Sequence, residues 1–188
     1  MTAKPSEHSG LRLDGGKIVL RDLTLRDVED VWAIVGDDRV TSWLSFASRD
    51  RAGAAAMVAS AATSADVRPR SEYYLAVTPL DSDHVVGFAR LALGGVRAAK
   101  LGYALHADQW GRGYATAAAQ TLTRYAFSEL DVHRITAAIG PENHRSIRLV
   151  EKAGFTLEGT LRDHVHTNGA WRDSLLYSLL NGEQQGNP

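Results

Sequence analysis

The stretch Trp110-Gly111-Arg112-Gly113-Tyr114-Ala115 constrains this chain more than any other, because it joins two segments of opposite character. Lys100 to His106, before it, is rich in aliphatic and aromatic residues and reads as a strand. Thr116 to Leu130, after it, carries Ala, Leu, Gln, Arg and Glu and reads as a helix. Two glycines at that junction leave the backbone bare and free to adopt φ > 0. The first turn of the helix adds unpaired N–H groups and the positive end of the macrodipole. Together they form a site for a phosphate or pyrophosphate. A tight turn capped by glycine would read the same way, so the stretch alone leaves both open. It is neither the dinucleotide fingerprint, which needs a third glycine in register, nor a P-loop, which needs Gly-Lys-Ser/Thr.

The rest of the chain frames that junction. At 188 residues it is long enough for one domain with a core of its own. A formal net charge of −1, with no Lys/Arg-rich block, argues against nucleic acid or an anionic membrane surface as the main partner. There is no cysteine, which excludes disulfides and thiolate-bound metals. Met1 to Gly16 is polar and lacks the apolar core of a signal peptide, and no run approaches the ~20 apolar residues of a membrane span. The expectation is a soluble, cytoplasmic protein. Residues 1–16 read as a flexible N-terminal tail, 17–180 as the domain and 181–188 as a polar C-terminal tail.

Within the domain, Lys17 to Asp22 reads as a strand. Thr24 is the expected N-cap of a helix with Val28, Val31, Trp32 and Val35 on one face. Val40 to Ala47 shows no clear period and reads as a loop or a helical turn, and Asp50 to Ala65 as a second helix. Tyr73 to Thr78 and His84 to Leu93 are strands, as is His133 to Ile139. Asn168-Gly169 predicts a hairpin between Thr160–His166 and Trp171–Leu179. No repeat or composition shift divides the chain, so the fold class is a single α+β domain.

A second motif decides between the two readings of the glycine turn. Asn143-His144-Arg145-Ser146 opens a short helix that ends at Glu151-Lys152-Ala153-Gly154-Phe155. The run from Lys100 to Phe155 resembles the GNAT superfamily of N-acetyltransferases, and most of all the branch of RimJ/RimL-type ribosomal-protein N-terminal acetyltransferases. That branch's coenzyme loop, Trp/Gln-Gly-x-Gly-Tyr-Ala, is matched from Trp110 to Ala115, and its later Asn-x-x-Ser and Glu-Lys-x-Gly-Phe are matched in order. Ala117 stands where the branch usually has Glu. The resemblance covers roughly residues 17 to 180 and implies a mostly antiparallel central sheet, flanked by helices and splayed between its fourth and fifth strands. Those would be Lys100–His106 and His133–Ile139, with Gly102 marking a bulge where the opening begins.

What the resemblance implies for chemistry follows. Acetyl-CoA would be the acetyl donor and a primary amine the acceptor. The opened strand end at Leu105-His106 would pair with the pantetheine arm as an added strand does. Trp110, Gly111, Arg112, Gly113, Tyr114 and Ala115 would hold the pyrophosphate, and Asn143 the pantetheine. A backbone N–H near Leu105 or His106 would polarise the thioester carbonyl, and Ser146 would protonate the departing sulfur. By its spacing alone, Asn143-x-x-Ser146 is also an ordinary helix start with Asn143 as N-cap.

The residues themselves say less about the base and the acceptor. Glu72, His106, Asp108, His144, His164 and His166 are all capable bases, and none is singled out. His164-x-His166 puts two imidazoles on one strand face, but no third ligand stands at a suitable spacing, so no metal is expected. An α-amine, with pKa near ~7.8, costs about 3.5 kcal/mol less to deprotonate than a lysine near ~10.4. A site without a strong base therefore suits a protein or peptide N-terminus, as the branch resemblance also implies, that of a ribosomal or other protein. A small amine or antibiotic, and a non-catalytic CoA-binding module, remain open. Trp43, Leu44 and Phe46 form either an acceptor wall, shared with Tyr73 or Tyr74, or a core plug. The same Trp43 region, or an exposed strand, offers a surface for a homodimer.

Overall fold

The computed structural model describes residues 10–183. Of the two expected tails, residues 1–9 and 184–188 lie outside the described residues. The chain runs β1 (Arg12–Asp14), β2 (Ile18–Asp22), a 3-10 turn (Leu25–Asp27) leading into α1 (Val28–Val35), α2 (Asp38–Thr41) and α3 (Arg51–Asp66). It continues with β3 (Glu72–Pro79), β4 (Gly87–Leu93), β5 (Ala98–Leu105), α4 (Tyr114–Glu129), β6 (Arg134–Ile139), α5 (His144–Lys152), β7 (Thr156–Thr167) and β8 (Ala170–Leu180). Among the described residues no helix is long and apolar enough to cross a membrane.

The strands form one sheet in the order β1-β2-β3-β4-β5-β6-β8-β7. Neighbours are antiparallel except β5 and β6. Helices cover both faces, so the central strands lose the simple alternation of a half-exposed sheet. On β3, Leu75 and Val77 join the core beneath α4, where Ala118, Ala119, Leu122 and Ala126 are fully buried. Ala76, between them, points to the other layer, against Val31, Ile34 and Val35 of α1 and Ala54 and Val58 of α3.

Local chemistry fixes the corners. Asp27 accepts from the Thr24 N–H at 2.7 Å and from its hydroxyl at 3.1 Å, so Thr24 starts the first helix as expected. Asp50 caps α3 by accepting from Gly53 N–H at 2.8 Å. Asn168 and Gly169 take φ of 52° and 77°, which makes the expected hairpin turn between β7 and β8.

Two expectations need correction. Arg12–Asp14, inside the segment read as tail, is a strand paired with β2, so the two strands that part are the ones expected, Lys100–His106 and His133–Ile139, but they count as the fifth and sixth in the sheet. A three-residue strand of charged, apolar, charged sequence carries no pattern of its own; its partner makes it. Gly102 marks no bulge, because the β4–β5 ladder runs in register through Arg90↔Gly102. The opening lies on the other edge. Pairing of β5 with β6 covers Ala98↔Arg134 to Lys100↔Thr136 and stops there.

Candidate active site

Beyond Lys100 the two parallel strands diverge around a cleft of about 1020 Å³, lined by residues of β5, the glycine turn, β6 and α5. The register defines which backbone groups face it. His106 N–H donates to Val86 C=O at 2.9 Å, which makes Gly87–Leu105 a non-hydrogen-bonded pair of the antiparallel ladder. The C=O of Leu101 and the N–H and C=O groups of Tyr103 and Leu105 therefore point away from β4, into the cleft, while the Leu101 N–H closes the last rung with β6 at Thr136. The Leu105 carbonyl accepts from Trp110 Nε1 at 3.1 Å, which ties the start of the glycine turn to the strand end. His106 differs from expectation: its N–H is used by Val86, and its Nδ1 accepts from Asp108 N–H at 3.2 Å.

Gly111 and Gly113 have φ of 80° and 79°, the left-handed conformation for which glycine is suited. Gly113 is the N-cap of α4, so the first-turn amides of Tyr114 and Ala115 stand at the cleft. A Cβ built on Gly113 would lie 3.5 Å from Lys17 Nζ, which places an ammonium beside the turn. Lys17 was not foreseen, because it arrives from the far end of the chain. Arg112 is exposed and does not line the cleft. The Arg145 guanidinium sits 4.7 Å above the Trp110 ring. Arg145, Arg148 and Lys152 line the cleft against one carboxylate there, Glu142, and Arg39 lines it too but is paired with Asp37 and Asp108. Bare amides and a surplus of cations are a fitting cradle for a phosphate-bearing ligand.

At the other wall, Asn143 caps α5, its Oδ1 accepting from Ser146 N–H at 3.1 Å. The Ser146 hydroxyl takes no part in that cap, and Ser146 lines the cleft. The Tyr103 hydroxyl faces the Ser146 carbonyl oxygen at 3.5 Å. Burial pushes the Tyr103 phenol up to about 12, so it stays protonated at neutral pH. Tyr103 is a second hydroxyl in the cleft that the sequence did not single out.

Trp43 is 47% exposed and lines the cleft, so it is no core plug. Its loop is held from the opposite end of the chain: Arg172 on β8 donates to the carbonyls of Ser42 at 2.7 Å and Leu44 at 2.8 Å. Between that loop and the β7–β8 hairpin lies a second groove of about 380 Å³, with Trp171 and Asp173 on its hairpin side. Tyr73 is misplaced by the sequence reading. It is 6% exposed in the core beneath α4, edge-on to Tyr125 at 5.7 Å, and lines neither cavity. Tyr74 turns to the opposite layer, against Phe88 at 5.1 Å.

The candidate bases scatter. Glu72 pairs with Arg90 and Asp108 with Arg39. His164 shares a hydrogen bond with Ser174 at 3.0 Å, and His166 packs on Trp171 at 5.0 Å. Of the six, only His144 lines the cleft.

A splayed sheet with a glycine turn at the parting strands is a recognisable class of architecture, and comparison agrees. Residues 17–156 match the Acetyltransferase (GNAT) domain, and the chain belongs to that family. It is 36% identical over 117 residues to the probable N-acetyltransferase YjcK of Bacillus subtilis, covering 61% of this chain and 65% of that one. It is 31% identical over 112 residues to the ribosomal protein uS5-alanine N-acetyltransferase of Escherichia coli, covering 58% of each. The matches thus span less than two thirds of either relative's length. Mycobacterium smegmatis RimJ, solved in complex with CoA-disulfide, superposes with a TM-score of 0.79 at 25% identity, covering 95% of this chain and 88% of that one.

Proposed function

We propose that this protein is an acetyl-CoA-dependent N-acetyltransferase whose acceptor is the N-terminal α-amine of a protein or peptide. One observation carries the reading: the free edge of β5 runs directly into an amide-rich turn at the start of α4. An extended ligand with amides at one end and a pyrophosphate at the other matches that edge and turn in sequence. Acetyl-CoA supplies an acetyl group activated on sulfur. The Leu101 carbonyl and the Tyr103 N–H and C=O offer strand-like partners to the pantetheine amides, while the Gly111–Ala115 amides and Lys17 bind the pyrophosphate. Leu105 N–H donates to the acetyl carbonyl oxygen, where negative charge develops. Ser146 protonates the departing sulfur.

The acceptor class rests on protonation. With one carboxylate in the cleft, the α-amine is the easier nucleophile by about 3.5 kcal/mol over a lysine side chain. The uS5-alanine N-acetyltransferase among its relatives supports the same class. The test is thiol release from acetyl-CoA with four acceptors: a short peptide with free N-terminal alanine, its N-blocked counterpart holding one lysine, spermidine and an aminoglycoside. The free N-terminus should give the highest kcat/KM. A tenfold preference for any of the others would overturn the acceptor class. Coenzyme binding without thiol release from any amine would favour a non-catalytic module.

A further inference from the structure

The coenzyme cleft and the side groove are separate cavities that share a wall of Trp43, Leu44, Gly140 and Glu142. Glu142 is the one carboxylate common to both linings. It precedes Asn143, the N-cap of α5, and so is held where β6 hands over to the helix that carries Ser146. Two exposed indoles line the groove, Trp43 at 47% on the shared wall and Trp171 at 61% on the hairpin side, and Arg172, beside Trp171, holds the carbonyls of Ser42 and Leu44 on either side of Trp43. Aromatic faces beside a carboxylate attract an ammonium. His144, the other titratable candidate in the cleft, does not reach the groove lining.

We propose that the acceptor enters through this groove and that Glu142 is a catalytic residue that holds its ammonium and takes its proton. The inference rests on the acetyl-transfer reading above and names the group that reading lacks. The ammonium N–H bond breaks toward the Glu142 carboxylate, and the freed lone pair forms the C–N bond to the acetyl carbon. The C–S bond breaks with its electron pair going to sulfur. The second amine proton passes from nitrogen through the Ser146 hydroxyl to that sulfur, and Glu142 returns its own proton to water.

The experiment compares wild type, Glu142→Gln and His144→Ala with one probe, a pentapeptide bearing a free N-terminal alanine. Coenzyme A affinity by calorimetry should be the same in all three, which shows the fold and cleft intact. Glu142→Gln should lower kcat/KM for the peptide by roughly 100-fold or more, the scale of general-base catalysis. Retention within about threefold, or that loss in His144→Ala instead, overturns the proposal. A second arm needs no transfer: quenching of tryptophan fluorescence by the peptide without coenzyme. Glu142→Gln should weaken that binding roughly tenfold, the scale of one charge-assisted contact, and the N-acetylated peptide should bind wild type equally weakly. If wild type transfers to no amine, the acetyl-transfer reading fails, and this arm alone decides the groove. Equal binding of both peptides to wild type overturns it.

Discussion

Gly113 holds φ at 79° at the mouth of α4, with Lys17 Nζ 3.5 Å from where a Cβ would stand. A branched side chain there would be strained and would occupy the approach to the turn's amides. Gly113→Val is expected to weaken coenzyme A binding by about tenfold or more in calorimetry, while strain lowers the melting temperature by only a few degrees. Unchanged affinity in the folded variant would remove the turn from the site. Asn143 and Ser146 separate cleanly, because the cap uses the serine's N–H and not its hydroxyl. Ser146→Ala should therefore leave stability untouched and lower kcat more than it changes KM for the coenzyme. Asn143→Ala should instead cost about 1 kcal/mol of stability. Melting curves beside steady-state kinetics distinguish them.

At the scale of elements, the 42–45 loop depends on a strand distant in sequence. Arg172 forks two carbonyls that flank Trp43, a geometry a lysine head cannot reproduce with the same rigidity. Arg172→Ala and Arg172→Lys are both expected to raise the peptide acceptor's KM, by roughly tenfold for Ala, and to leave coenzyme affinity alone. A parallel loss of coenzyme binding would mean that the fork supports the whole cleft. This contact was invisible in the sequence because its partners are backbone carbonyls of a loop without pattern. The glycine turn and the Asn-x-x-Ser helix start were visible because their chemistry is local: positive φ, a cap, a first turn of free amides. Tyr73 and Tyr74 were indistinguishable in sequence; which one meets α4 is set by the register of β3 with its neighbours.

For the molecule as a whole, the Arg21–Asp27 pair anchors the sheet to the first helix. Asp27 is 5% exposed and takes both guanidinium nitrogens, at 2.7 and 2.8 Å. Burial pushes its carboxyl up, but the Arg21 fork and the Thr24 N–H outweigh that and hold it below its ordinary value. A depressed folded pKa contributes stability that is present above the unfolded value near ~3.9 and is lost as pH falls through the folded one. Wild-type stability should thus hold from pH 7 to about 5 and decline below about 4. Asp27→Asn should be less stable by about 3 kcal/mol at pH 7, with the gap narrowing below pH 4 as the wild-type carboxyl protonates. Denaturant titrations at pH 7 and pH 3 check this, and a gap independent of pH would place the cost in packing instead.

The sequence by itself determined the α+β class, the glycine turn between a strand and α4, the capped start of α5 and the hairpin at Asn168-Gly169. Each follows from the conformational preferences of a few consecutive residues. The tertiary structure decided that the parallel pairing stops at Lys100↔Thr136, that Leu105 and not His106 aims its N–H into the opening, and that Lys17 comes to the glycine turn and Arg172 to the Trp43 loop from opposite ends of the chain. Those are consequences of strand register and of contacts between residues far apart in the chain. No local preference encodes them, because each side chain would satisfy its own backbone equally well elsewhere; only packing of the whole sheet brings them into place.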